Sequence, residues 1–171
     1  MKKALGTIAA IMVAAILIGT FITAQSSTAG ETGRDGRFIA YDNGTVLDTK
    51  TNLMWAAKDN GSNITWANAK FYCQNYRGGG YTDWRMPTQD ELAGLYDANK
   101  SRPAACERTS FIHVATELID ITCFCPWTSE TSDSAAAYFY FDIGVKDWHR
   151  QSTDYDARAL PVRSGKISGK K

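Results

Sequence analysis

Helical spacing is confined to one stretch of this chain, and that limits its architecture more than any other feature. Trp66, Ala69, Lys70 and Cys73 follow the i, i+3, i+4, i+7 spacing of one helix face, with Tyr72 and Tyr76 alongside. The spacing predicts a helix over 66–76, capped by Asn63 or Thr65 and stopped by Arg77-Gly78-Gly79-Gly80. A second helix begins at Thr88. Thr88-Gln89-Asp90-Glu91 matches a capping box, and Pro87 turns Met86 away from helical geometry. Leu92, Leu95 and Tyr96 supply its apolar face. On either side the chain reads as short strands and turns. Phe38–Tyr41 and Thr45–Asp48 flank Asn43-Gly44, a hairpin signal in which both central residues take positive φ. Leu53-Met54-Trp55 is a third strand candidate, and Asp59–Ser62 a turn. Residues 98–123 hold Pro103 and two cysteines and show no periodicity; from Phe124 onward strands return, at 137–142, 145–150 and 155–163. Hairpin, two helices, then strands is the order of an α+β domain, not of an alternating α/β one.

The first residues stand apart from that domain. Lys2 and Lys3 precede an uncharged apolar run from Ala4 to Ile22, and Ala24 and Ala29 are small residues at cleavage positions. Residues 1–29 read as a secretory signal. The run spans about 19 residues, close to a membrane-spanning helix, so a retained anchor is the alternative. Membrane contact then runs only through residues 4–22. Either way residues 30–171 are expected outside the cytoplasm: in the periplasm, on the outer surface or secreted. Residues 30–36 read as a Gly- and Thr-containing linker, 37–163 as the domain, and 164–171 (SGKISGKK) as a loose basic tail.

Residues 31–162 carry 13 of the 19 basic side chains and all 18 acids, a net charge of −5. That excludes a nucleic-acid binder, which needs basic surface against phosphate. The acid excess leaves room for Ca²⁺, whose oxygen ligands must converge in space, but no cofactor is called for. Cys73, Cys106, Cys123 and Cys125 make an even count in an exported chain, which suggests two disulfides. A bond from Cys106 to Cys123 or Cys125 is short and local; the partner of Cys73 stays open. A metal site built from Cys123 and Cys125 with His113 or His149 lacks the paired spacing of structural zinc sites.

The densest polar cluster is Asp83-Trp84-Arg85-Met86-Pro87-Thr88-Gln89-Asp90-Glu91. Its residues have adequate structural roles: Arg85 sits between an indole and a proline and pairs with Asp83 or another acid, and Glu91 caps the helix. No Gly-x-Ser-x-Gly elbow occurs, and the two histidines mark no triad. His113 is expected to be half-buried and locally hydrogen-bonded. Gly78-Gly79-Gly80 follows a helix rather than starting one, so it reads as a connector and not a phosphate cradle. The binding candidates lie in the second half, where Trp127-Thr128-Ser129-Glu130 and Asp147-Trp148-His149-Arg150 put indoles beside polar groups. That mixture suits a sugar or peptide. Trp127 also reads as core.

Asp83-Trp84-Arg85-Met86-Pro87-Thr88-x-x-Glu91-Leu92 resembles the signature of a bacterial exported domain family named for the C-terminal domain of the Legionella collagen-like adhesin. Further motifs follow in order. They are Tyr41-x-x-Gly44-Thr45-Val46-x-Asp48-x-x-Thr51-x-Leu53-Met54-Trp55, Trp66-Ala67-x-Ala69, Trp127-Thr128-Ser129-Glu130, Phe141-Asp142-x-Gly144 and Arg158-Ala159-Leu160-Pro161-Val162-Arg163. The Arg-x-Pro-Thr-x-x-Glu core is also similar to one in the formylglycine-generating enzymes. Both resemblances imply a C-type-lectin-like fold, two helices packed on small irregular antiparallel sheets with long loops. The generating enzymes rely on a reactive cysteine pair near the C-terminus, and no cysteine follows Cys125. The calcium-sugar motifs of true C-type lectins are missing too. The expectation is therefore a non-catalytic recognition module for a glycan or an envelope protein. An enzyme related to the generating enzymes, or a membrane-tethered structural subunit, is the alternative.

Overall fold

The hairpin forms, but with a different turn. In a computed structural model describing residues 29–165, Phe38–Tyr41 (β2) and Thr45–Asp48 (β3) pair antiparallel across Asp42-Asn43-Gly44. The Gly44 N–H donates to the Tyr41 carbonyl at 3.2 Å, and Gly44 takes φ 76° while Asn43 stays out of the left-handed region. This is a three-residue loop, a turn closed by a left-handed glycine, rather than a two-residue turn with both centres left-handed. Asn43 contributes through its side chain, whose Oδ1 accepts from Thr45 Oγ1 at 2.7 Å.

Glu31–Asp35 (β1) continues the sheet beyond β2, so residues 31–35 are a strand and not a linker. Leu53–Ala56 (β4) pairs with β3, and Val162–Ser164 (β11) pairs with β4, giving the order β1-β2-β3-β4-β11. Ser164, placed by composition in the tail, thus belongs to the last strand; residues 166–171 and the N-terminal signal or anchor lie outside the described residues. A second sheet has the order β10-β7-β8-β9, from Ala157–Arg158 (β10), Cys125–Ser132 (β7), Ala135–Tyr140 (β8) and Val145–Arg150 (β9). Its pairs are antiparallel except β10 with β7. Arg102–Pro103 (β5) and Phe111–Ile112 (β6) form a small ribbon. β9 is an edge strand. Asp147 Oδ1 accepts the Trp148 N–H at 2.8 Å, and His149 Nδ1 accepts the Arg150 N–H at 3.0 Å.

Trp66–Asn75 (α1) starts at Thr65, which makes no side-chain cap bond, and buries Ala69 and Cys73. Gln89–Ala93 (α2) carries the full capping box: Glu91 N–H donates to Thr88 Oγ1 at 3.2 Å, and Thr88 N–H donates to Glu91 Oε2 at 2.8 Å. The helix is shorter than its apolar spacing predicts. Leu95 is buried beyond its end, and Tyr96 is held by a bridge to Val114. Gly144 takes φ 72° under Tyr96, where an added Cβ would come within 2.7 Å of the ring. One core runs through the molecule, with Trp55, Leu92, Ile112, Ile121, Trp127, Phe139, Phe141 and Leu160 fully buried. Among the described residues the architecture is α+β, two α-helices against several small sheets.

The motif around Arg85 ties this core to the chain's end. Arg85 and Val162 exchange backbone bonds of 2.9 and 3.0 Å. The Arg85 guanidinium grips both Glu91 oxygens, at 2.7 and 2.6 Å, so its partner is the capping acid and not Asp83. Asp83 is taken instead by buried Arg163, at 2.6 and 3.1 Å, whose guanidinium lies 3.9 Å over the Tyr81 ring. Trp84 is buried, its indole N–H donating to the Gly78 carbonyl at 3.1 Å. Burial pushes the Glu91 carboxyl up, but bonds from Arg85 and Thr88 outweigh it and hold the group below its ordinary 4.5. A depressed carboxylate stabilises above its unfolded value and loses that contribution as pH falls through the folded one. Glu91→Gln, which keeps a capping amide acceptor but loses the charge, is expected to cost about 1–2 kcal/mol at pH 7. In urea unfolding, the gap to the parent should narrow well below pH 4.5.

Candidate ligand-binding site

Strand alternation sorts the second sheet into two faces, because directly opposed residues on paired strands share a side. Trp127 faces Tyr138, which faces Asp147; Ala136 faces His149; Tyr140 faces Val145. Phe139 with Lys146, Ala137 with Trp148, and Ala135 with Arg150 form the other face. Lys146 pairs with Asp90, so that other face carries α2. The four consecutive candidates at 147–150 therefore split: Asp147 and His149 go one way, Trp148 and Arg150 the other.

The first face opens into a cavity of about 290 Å³. Trp127, Tyr138, Tyr140 and His149 line it from the sheet, Phe124 and Cys125 from the start of β7, and Thr153, Tyr155, Asp156 and Ala157 from the loop into β10. The aromatic rings stand at right angles. Tyr138 and Tyr140 lie 4.9 Å apart at 83°, and Trp127 and Tyr138 lie 5.7 Å apart at 89°. Trp127 is both core and wall; its indole N–H donates to the Ile64 carbonyl at 2.8 Å. His149 Nδ1, already accepting from Arg150, sits 2.7 Å from Thr153 Oγ1. An Nδ1 that accepts leaves Nε2 to carry the proton of the neutral ring. Asp147 does not line the cavity, but its Oδ2 lies 3.4 Å from the Tyr138 hydroxyl. Burial drives the Tyr138 phenol far up, so it stays neutral.

Glu130 lies elsewhere. Its Oε1 accepts the Gln89 N–H at 2.9 Å, so it serves the start of α2. A second groove, of about 350 Å³, lies between α1 and the Arg85 motif, lined by Trp66, Lys70, Arg85 and Ser129 among others. Its one indole is covered by Lys70, whose Nζ is 5.2 Å from the Trp66 ring. Of the six binding candidates, the structure brings only Trp127 and His149 into one cavity. Tyr138, Tyr140, Thr153, Tyr155 and Asp156 were not singled out by sequence reasoning. The signal for two of them was present in Tyr138-x-Tyr140, which places both rings on one face of a strand.

The cysteines resolve into one bond and two thiols. Cys106 and Cys123 form a disulfide, with Cα atoms 5.4 Å apart, while Cys73 and Cys125 are free and buried. The second expected disulfide is therefore not formed. With Cys123 bonded, the Cys123–Cys125 metal site is also ruled out. The Asp156 carboxylate comes within 4.8 Å of both bonded sulfurs, which have no free valence for a metal. Burial pushes the Cys73 thiol up to about 12 and the Cys125 thiol higher still, away from the nucleophilic thiolate. His113 is half-buried, with Nδ1 2.8 Å from the Lys100 carbonyl.

Small sheets around a shared core, with an aromatic-walled cavity on one strand face, make up an α+β domain. The chain belongs to the Lcl C-terminal domain family, whose model matches residues 44–163. Membership points to an adhesin-like module, and the intramolecular disulfide fits an extracellular setting. A search among curated proteins finds no match.

Proposed function

We propose that this protein is a non-catalytic recognition module, exported to the cell envelope or beyond it, that holds a glycan or a protein partner in the Trp127–Tyr138–Tyr140–Tyr155 cavity. The observation that carries this reading is the cavity's make-up: perpendicular aromatic walls with His149, Thr153 and Asp156 as polar groups among them. Flat apolar faces with a few oriented polar atoms are the usual equipment of a small-ligand site. Two helices on small, loop-rich sheets also suit a C-type-lectin-like arrangement. The neutral, buried state of both free thiols supports a reading without cysteine chemistry, and no step of the recognition calls for Ca²⁺ or another cofactor.

The test is a glycan array run beside a pull-down from envelope extracts, with oxidised protein. Tyr155 is 75% exposed, so Tyr155→Ala should leave the melting temperature in place. It is expected to weaken a genuine hit at least about tenfold, the loss of one stacked aromatic wall. Blank arrays and pull-downs, or hits indifferent to Tyr155→Ala and Tyr140→Ala alike, would remove the cavity from consideration.

A further inference from the structure

We propose that the chemical group held by this cavity is an organic ammonium ion, with Tyr138, Tyr140 and Tyr155 as its walls and the Asp156 carboxylate as its counter-charge. The inference rests on the cavity being the binding site and names what enters it.

Three observations converge. The first is charge. Asp156 lines the cavity, and among the described residues no lysine or arginine does. The Arg158 guanidinium, whose charge reaches Asp156, is buried and makes its hydrogen bonds to other partners: Thr122 Oγ1 at 2.8 Å and Asn63 Oδ1 at 2.7 Å. The charges of Asp142, Asp156 and Asp147 all act on the Cys125 thiol that lines the cavity, with Arg158 pulling the other way. The second is an unmet group. Asp156 is half-buried, yet among the described residues its carboxylate makes no hydrogen bond and no ion pair. Burial pushes its pKa up, against the pull of the Arg158 charge. The backbone there takes φ 55°, a left-handed conformation uncommon for a residue with a side chain. A cation in the cavity would supply the missing partner.

The third is shape. Rings at 83° and 89° to one another put faces and edges around one space, and a cation is drawn to a ring face within about 6 Å of its centre. The volume, about 290 Å³, sits at the foot of the range for ligand pockets, about 300–1,000 Å³, and suits one head group better than a chain of sugars. Asp156 and Thr153 are few acceptors for the three N–H bonds of a primary ammonium. A methylated ammonium, which needs none, is the better fit.

The experiment is a calorimetric and NMR titration of the full oxidised chain with four probes. These are choline, its uncharged carbon isostere 3,3-dimethylbutanol, glucosamine and lysine methyl ester. Choline is expected to bind saturably and at least about 10-fold more tightly than the isostere, the size of a desolvated cation–π contact. Glucosamine and lysine ester are expected to fall between them. A glucosamine or lysine preference would assign the ammonium to an amino sugar or a protein side chain instead of a choline-type head group. Asp156→Asn keeps a residue tolerant of positive φ, and should cost choline about 10-fold while leaving the melting temperature unchanged. Equal affinity for choline and its isostere would overturn the inference. If a neutral glycan then still bound and was lost in Tyr155→Ala, the recognition reading would stand without it. If nothing bound, both would fall.

Discussion

Arg158→Ala is expected to lower the stability of the domain by about 3–5 kcal/mol at neutral pH, the usual cost of stripping one partner from a buried ionic cluster. Arg158 and Asp59 are both almost wholly enclosed, with Nε 4.0 Å from Asp59 Oδ2. Thr122 stands between them: its hydroxyl accepts from Arg158 Nε at 2.8 Å and reaches the Asp59 oxygens at 3.0 Å. Asp59 also accepts the Thr122 N–H at 2.7 Å and the Gly61 N–H at 2.8 Å. Removing the guanidinium leaves that carboxylate charged and enclosed without its cation. Burial already pushes the Asp59 pKa above its ordinary 3.8, against the pull of Thr122, Gly61 and Arg158. For a carboxyl raised in this way, the proton is bound more tightly in the folded state. The charged form is a burden above the folded pKa, and the burden vanishes below it. The Arg158→Ala deficit should therefore be largest at pH 7 and shrink as pH falls toward the Asp59 value. Urea unfolding across that range measures it. A deficit under about 1 kcal/mol at pH 7 would mean the cluster is not the tie it looks to be.

Opening the Cys106–Cys123 bond is expected to cost about 3 kcal/mol, the chain-entropy value for a loop of this length. The bond closes a 17-residue separation in a stretch with little regular structure to fix it. The backbone amides of Ala105 and Cys106 both donate to the Thr122 carbonyl, at 3.0 and 3.1 Å. Thr122 is the residue that holds Asp59, so loss of the bond loosens the same segment that anchors the buried ions. Paired Cys106→Ala and Cys123→Ala replacement, or reduction, should lower the urea midpoint without abolishing folding. Cys73 and Cys125 should resist alkylation in the native oxidised protein and react only after unfolding, since burial holds both thiols protonated. Rapid native labelling of either would contradict that placement.

What the sequence disclosed follows from how far apart the cooperating residues lie. The start of α2 was legible because its cap is local: Thr88 and Glu91 are three residues apart and satisfy each other. The hairpin was legible for the same reason, although the share of work between Asn43 and Gly44 was not. The partner of Asp83 was hidden because Arg163 lies 80 residues on, whereas Arg85 stood two residues away and drew attention. β1 was missed because Glu31-Thr32-Gly33-Arg34-Asp35 offers no apolar alternation; it is a strand because β2 presents an edge for it to pair with. The cavity was half legible. Reading Asp147-Trp148-His149-Arg150 as one patch overlooked the two-residue period of a strand, which sends neighbours to opposite faces. Tyr155 and Asp156 reach the cavity through a loop whose course depends on the parallel pairing of β10 with β7, a long-range event.

The self-bonded edge of β9 bears on how such a domain survives in company. Six exposed residues in extended form, Trp148 among them, would ordinarily invite another chain to add a strand and begin a stack. The amides of Trp148 and Arg150 are already claimed by the side chains just before them, so an incoming backbone finds those donors spent. A domain whose edge amides are spent in this way can keep an indole in the open without polymerising through it.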